Sequence, residues 1–242
     1  MKIAILFSGR LDRFDEHHNN LLRQIVQEHD TDVFVSTIAD QEKLEQFCEL
    51  YHPISIVNEP IQYNPSFESN RHPLCNYHNM MCMYCHRWRV FHEMDTYARL
   101  SHTHYDMVLS LRLDIYHDQQ LDYAMFNVWS EGLGAARPST TNDRGPFTPG
   151  VVLHKFNGIW IPEGNDWGGI NDQMAVGDVE AMRIYMNVWT NIDLWISLPN
   201  FGPEIILGQH LAQHDVIVHR FQHAYRLING KYYQHFSDPI MK

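Results

Sequence analysis

Three short apolar runs at the start of the chain, residues 2–7, 33–37 and 53–57, are separated by two stretches of helical length. Residues 11–28 carry Leu21, Leu22, Ile25 and Val26 at helical spacing, and residues 39–51 form the second stretch. Strand, helix, strand, helix, strand at this spacing predicts parallel strands joined by right-handed crossovers. The chain is therefore expected to be α/β, with a mostly parallel sheet flanked by helices. At 242 residues it can bury a sizeable core as one domain. We take residues 1–242 as a single domain, with 1–118 as a ligand-binding half and 119–242 as the half that completes the site.

The most informative later stretch is residues 105–118, Y-D-M-V-L-S-L-R-L-D-I-Y-H-D. An apolar run passes into alternation, with Ser110, Arg112 and Asp114 on one side and Leu111, Leu113 and Ile115 on the other. Read as a strand of period two, this places Arg112 and Asp114 on one face at the carboxyl end of a buried strand. Open α/β sheets bind ligands at that end. A guanidinium forks onto phosphate oxygens, and a carboxylate holds a divalent cation or a sugar hydroxyl. The plainer alternative is an ion pair that closes a strand end.

Charge and composition remove several classes. A formal net charge of -11 argues against binding nucleic acid by neutralising phosphates. No apolar run approaches the roughly 20 residues that span a bilayer. The apolar start of the chain is too short for a secretory leader and reads as a first strand, so a cytoplasmic protein is expected. Cys48, Cys75, Cys82 and Cys85 are then expected to be reduced. Cys75, His78, Cys82 and Cys85 fall on one face of a helix, but four ligands along one straight helix cannot close a tetrahedron around zinc. A core-facing stripe is the preferred reading.

Residues 59–73 read as a long surface loop and 76–101 as a long helix with a core stripe of Met80, Met81, Tyr84, Trp88, Phe91 and Met94. Residues 129–149, rich in Gly, Pro, Ser and Thr, read as a mobile loop over the site. Residues 150–154 and 158–161 are expected to form a small additional hairpin. Asn171 or Asp172 is placed as the cap of a helix from about Gln173 to Trp189. Pro203 and Glu204 open another helix, and residues 215–223 form a late strand with His219 and His223 on one face.

In this order, Phe7-Ser8-Gly9-Arg10, Asp32-Val33-Phe34-Val35-Ser36-Thr37, Tyr105-Asp106 with Arg112-Leu113-Asp114, and Asn171-Asp172-Gln173 resemble the motifs of small glycosyltransferases of the GT-A fold. The resemblance is to the soluble type found in bacterial surface-polysaccharide loci and large DNA viruses, across about residues 2–220. The resemblance implies a Rossmann-like GT-A sheet, a nucleotide-sugar donor (UDP-linked by default), a glycan acceptor, and Mn²⁺ or Mg²⁺ on the diphosphate. Such families carry Asp-x-Asp at the end of the central strand. Here Arg112-Leu113-Asp114 stands in that place, so only Asp114 carries over as metal and donor ligand, with Arg112 sharing the charge. Asp118, a second carboxylate, lies beyond the alternation. His219 is the late histidine implied as a metal ligand, with His223 next. Ser8, Gly9, Arg10 and Thr37 are implied at the donor.

In an inverting enzyme of this kind a carboxylate beside the acceptor takes the proton of the attacking hydroxyl. Asp172 matches that place, with Glu204 as the rival. The plain alternatives are a helix cap for Asp172 and dipole compensation for Glu204. Two other classes remain open. One is a metal-dependent hydrolase, which lacks a compact histidine motif here. The other is a non-catalytic sugar- or nucleotide-binding protein on the same scaffold.

Overall fold

The computed structural model describes residues 1–11, 14–63, 76–127, 158–197, 202–229 and 232–235. The expected loop at 129–149, the strand at 150–154, Cys75 and most of the 59–73 loop lie outside the described residues.

The opening strands form where the apolar runs are. β1 (Lys2–Ser8), β2 (Asp30–Thr37), β3 (Ser55–Asn58) and β4 (Met107–Leu111) lie parallel in the order β3-β2-β1-β4. The first helical stretch is shorter than its pattern. α1 (Phe14–Leu21) passes into a π-helical turn, Leu22–Val26. α2 (Gln41–Tyr51) begins at Asp40, whose carboxylate accepts the Lys43 amide, one of the donors a helix start leaves orphaned. α3 (Tyr77–Ser101) begins with Asn76 in the same role and runs behind the sheet. Its cysteine–histidine face is not uniformly in the core. His78 is exposed, within 3.5 Å of the Cys82 sulfur, whereas Cys85 is buried.

The second half departs from its sequence pattern in ways that matter. β7 (Met174–Gly177) pairs antiparallel with β4, then with β6 (Ile159–Pro162), which pairs in parallel with β8 (Val218–Phe221). The seven-stranded sheet is thus β3-β2-β1-β4-β7-β6-β8, with β7 its single antiparallel strand. Asn171-Asp172-Gln173 therefore leads into a strand and does not open a helix. The helix that follows, α5 (Val179–Met186), is capped by Asp178. Met174-Ala175-Val176 suits a helix locally. All three are fully buried here, because the gap between β4 and β6 takes them as strand.

β6 pairs with β7 on one side and β8 on the other, while its expected hairpin partner at 150–154 lies outside the described residues. A small second sheet runs β10-β9-β5, from β5 (Ile115–His117), β9 (Tyr225–Asn229) and β10 (Tyr232–His235). β5 is the second half of the 105–118 stretch. The chain leaves the main sheet after Leu111, so Arg112, Leu113 and Asp114 form a turn between two sheets rather than a strand end. Short helices α4 (Ala124–Asn127) and α6 (Ile192–Ile196), and the longer α7 (Pro203–Gln213), complete the described elements.

Period two sorts the sheet's side chains onto two faces. Ala4, Leu6, Phe34 and Val108 pack with Tyr84, Val90 and Met94 of α3 and with Met182, Ile206 and Leu207. Ile3, Ile5, Phe7, Val35 and Leu109 pack with Phe14, Ile25, Phe47 and Phe126 on the other. Among the described residues, no helix is long and apolar enough to cross a membrane.

Candidate active site

The antiparallel sense of β7 builds the site. Register pairs Leu111 with Met174, so the residues after β4 and those before β7 meet at one edge of the sheet. That edge also holds the carboxyl ends of β1, β2 and β6. Ser8, Gly9, Arg10, Thr37, Arg112, Asp114 and Asp172 are all brought to it, as ligand binding at the carboxyl ends of an open sheet requires.

Arg112 forks onto Asp114 through two hydrogen bonds, Nε to Oδ1 at 2.8 Å and Nη2 to Oδ2 at 2.6 Å. Both side chains stay partly open to solvent. Burial alone would lower the Arg112 pKa, but the bonds to Asp114 and the nearby charge of Asp172 raise it instead. The guanidinium is therefore a cation held at the sheet edge by Asp114. Asp118, the other carboxylate of this stretch, pairs with Arg226 at 3.0 Å and stands apart.

Asp172 is 5% exposed and is held from below by Arg87 of α3. Arg87 donates Nη2 to the Asp172 backbone carbonyl and approaches its carboxylate at 3.4 Å. It lies between the rings of Tyr84 and Tyr185, 5.8 and 5.7 Å from their centroids. Its Nε and Nη1 have no hydrogen-bond partner among the described residues. A buried arginine with spare donors beneath a carboxylate is costly unless paired. Sequence reasoning passed over Arg87, although its spacing from Tyr84, Val90, Phe91 and Met94 marks it as a cation on a core-facing stripe.

Glu204 sits in the first turn of α7, after Pro203. The Tyr84 hydroxyl donates to the Pro203 carbonyl at 2.5 Å, and the Ile170 amide donates to the Glu204 carbonyl at 2.9 Å. These contacts tie α7 to α3 and to the segment that carries Asp172 into β7. Burial, followed by the charge of Asp172, pushes Glu204 up to about 7. Asp172 and Glu204 are thus a coupled pair of carboxylates near two arginines. Their environments differ: Asp172 has its own guanidinium, whereas Glu204 is left to hold a proton near neutrality.

At the carboxyl end of β1, Gly9 has φ +112°, a conformation other residues adopt only under strain. Its amide donates to the Ser36 carbonyl at 3.0 Å, which fixes the turn carrying Ser8 and the exposed Arg10. Thr37 is fully buried at the end of β2, and its hydroxyl has no partner among the described residues.

The histidines lie elsewhere. His219 stacks on Trp160 at 4.6 Å, two positions back from the β8 end and three strands from β4. His223 lies beyond β8, its Nε2 in a hydrogen bond of 3.0 Å with His117 Nδ1. Burial holds His223 down at about 4, so the pair is neutral and structural at pH 7. No cluster of three or more His, Cys, Asp or Glu residues placed to hold a metal ion occurs among the described residues.

Neither protein-family profiles nor curated proteins match this sequence. Among solved structures, a protein described as a nucleotide-diphospho-sugar transferase from Desulfovibrio desulfuricans G20 is similar over 91% of this chain and 79% of its own, at 11% identity and a TM-score of 0.46. Mouse xyloside xylosyltransferase 1, apo form, is similar over 91% and 85%, at 10% identity and 0.46. A glycosyltransferase involved in glycosylating the major capsid of PBCV-1 is similar over 92% and 82%, at 12% identity and 0.38. At such scores these likenesses are distant, and function is read from the site itself.

Proposed function

We propose that the chain is a glycosyltransferase that moves a sugar from a UDP-linked donor to a hydroxyl of a glycan acceptor, inverting the anomeric centre. The observation that carries this reading is the carboxylate pair at the sheet's carboxyl edge, with Glu204 pushed up to about 7 beside the Arg112 cation. The acceptor oxygen attacks the anomeric carbon, and the bond from that carbon to the phosphate oxygen breaks. Its electron pair leaves with the diphosphate, and the hydroxyl proton passes to Glu204. A base with a pKa near the working pH accepts that proton and returns it to solvent readily. Arg112 faces the charge that develops on the leaving diphosphate, where a fixed cation stabilises the transition state. Asp172, held by Arg87, keeps Glu204 basic through its charge.

A metal held by the protein fits these residues poorly. Both oxygens of Asp114 are engaged by Arg112, and His219 is stacked on Trp160. The charge on the diphosphate is therefore assigned to Arg112. Arg112→Lys is expected to weaken UDP binding about tenfold, because a lysine keeps the charge but loses the fork onto Asp114 that holds the cation at the sheet edge. Calorimetric titration beside a melting curve reads this. An unchanged affinity with a lowered Tm would make the Arg112–Asp114 pair structural.

Asp114→Ala releases the Arg112 side chain. The expected result is a higher donor KM, with the same response to Mn²⁺ as the parent protein. A Mn²⁺ stimulation present in the parent and absent in Asp114→Ala would instead make Asp114 a metal ligand. The reading as a whole is tested by slow hydrolysis of a panel of nucleotide sugars, with Mn²⁺ and with chelator. Turnover of nucleotide sugars alone supports a transferase. Attack on sugar-free phosphate esters would indicate a hydrolase, and affinity without turnover a binding protein.

A further inference from the structure

The loop from β6 to β7 crosses the same edge of the sheet and carries Trp167 at the tip of a tight turn. The turn is closed by the Gly169 amide donating to the Asp166 carbonyl at 2.6 Å. Its two central residues, Trp167 and Gly168, have φ of +42° and +85°. Two positive φ values in succession belong to the mirror-image turn that asparagine and glycine favour, and a bulky aromatic there is an outlier. The same residue is 71% exposed. Folding thus strains the backbone to hold an indole in water, where it contributes little to the core.

The turn is braced on every side. The Asn171 amide donates to the Asp166 carboxylate at 2.9 Å, and Arg220 pairs with that carboxylate at 2.8 Å. The Asn171 side chain donates to the Gly164 carbonyl at 2.9 Å and to the Tyr225 hydroxyl at 2.7 Å. Gly169 is wedged against α7, since a Cβ there would lie 2.0 Å from the Glu204 carbonyl oxygen. Trp167 therefore stands two residues from backbone in contact with Glu204, on a rigid support. Strand order places β1 and β2 beyond β4, so Trp167 lies on the opposite side of the Asp172 position from the Ser8–Arg10 turn.

We propose that Trp167 is the stacking platform of a carbohydrate subsite, taking one pyranose ring of the acceptor beside Glu204. The apolar C–H face of a pyranose matches the electron-rich face of an indole, and a preformed ring loses little entropy on binding. The acceptor role rests on the proposed transferase function; the sugar binding does not.

The test follows the Trp167 indole N–H in a ¹⁵N spectrum, assigned by its loss in Trp167→Phe, without donor present. The probes are disaccharides of glucose, galactose, mannose and xylose, in α and β linkages, with UMP and UDP as contrast. The expected result is a shift of the Trp167 signal with at least one disaccharide, and affinity reduced about tenfold in Trp167→Ala but less in Trp167→Phe. A signal that stays still across the sugars, or moves only with the nucleotides, overturns the proposal. So does an affinity that is the same in Trp167→Ala. Hydrolysis of nucleotide sugars by the parent protein is measured separately. Sugar binding at Trp167 without any such turnover would remove the transferase reading and leave the subsite standing.

Discussion

Glu204→Gln is expected to lower kcat for transfer by about 10²-fold or more, with donor affinity close to that of the parent. The glutamine keeps the size of the side chain and removes its capacity to take a proton. In the parent protein, kcat should fall as pH drops below about 7, where Glu204 becomes protonated, and that acidic limb should vanish in the variant. Asp172→Asn supplies the complementary reading. Removing the charge that, after burial, raises Glu204 should move the acidic limb to lower pH. If Asp172 were itself the base, Asp172→Asn would abolish turnover at every pH and Glu204→Gln would not.

Stability moves the other way. The folded pKa of Glu204 lies above its ordinary value of 4.5, so the folded state binds the proton more tightly. That contribution is complete below about 4.5 and is lost as pH rises through about 7. At pH 8 the Glu204→Gln protein should therefore melt no lower than the parent. A large loss of stability there would mean that the carboxylate is structural, and a kcat within about twofold of the parent would remove it from proton transfer.

Arg87→Met is expected to produce the largest loss of stability, about 3–5 kcal/mol, because it strands the Asp172 carboxylate in a buried site. For a chain of this length that corresponds to a fall in Tm on the order of 10 °C. The arginine is 2% exposed, and burial opposes its charge, whereas Tyr185 and Asp172 support it. The Asp172 carbonyl also loses its strongest donor, leaving the Tyr185 hydroxyl at 3.4 Å. Combining Arg87→Met with Asp172→Asn should restore part of the loss, since the orphaned charge is then gone. Urea unfolding of the four proteins completes the cycle. A zero coupling energy would show that Arg87 acts through its packing between Tyr84 and Tyr185 and not through Asp172.

The parallel half of the fold was legible in the sequence. Ile3, Ile5 and Phe7 alternate with Ala4 and Leu6, and the helices between β1, β2 and β3 announce themselves by length and spacing. These are local signals, since each strand's face and each crossover is written in adjacent residues. Ser8, Gly9, Arg10 and Thr37 follow from that framework, because strand ends at fixed spacing put them at one edge. That Arg112 and Asp114 come to the carboxyl edge of the sheet was also legible, though their geometry was not. Alternation through Ile115 looks the same whether the chain continues one strand or turns into a second sheet.

Tertiary structure decided the rest. Met174–Gly177 is a strand because β4 and β6 offer an open pairing position more than 50 residues away in one direction, which overrides local helical propensity. That choice reverses the chain at Asp172 and carries its carboxylate to the Arg112 edge. Arg87 reaches Asp172 across 85 residues, and Glu204 comes to the same place only because Gly169 and Tyr84 seat α7. Spacing within a segment reports which residues share a face. It does not report which distant charges will meet, because that is set by the packing of whole elements and by the energetic demand that buried charges be paired.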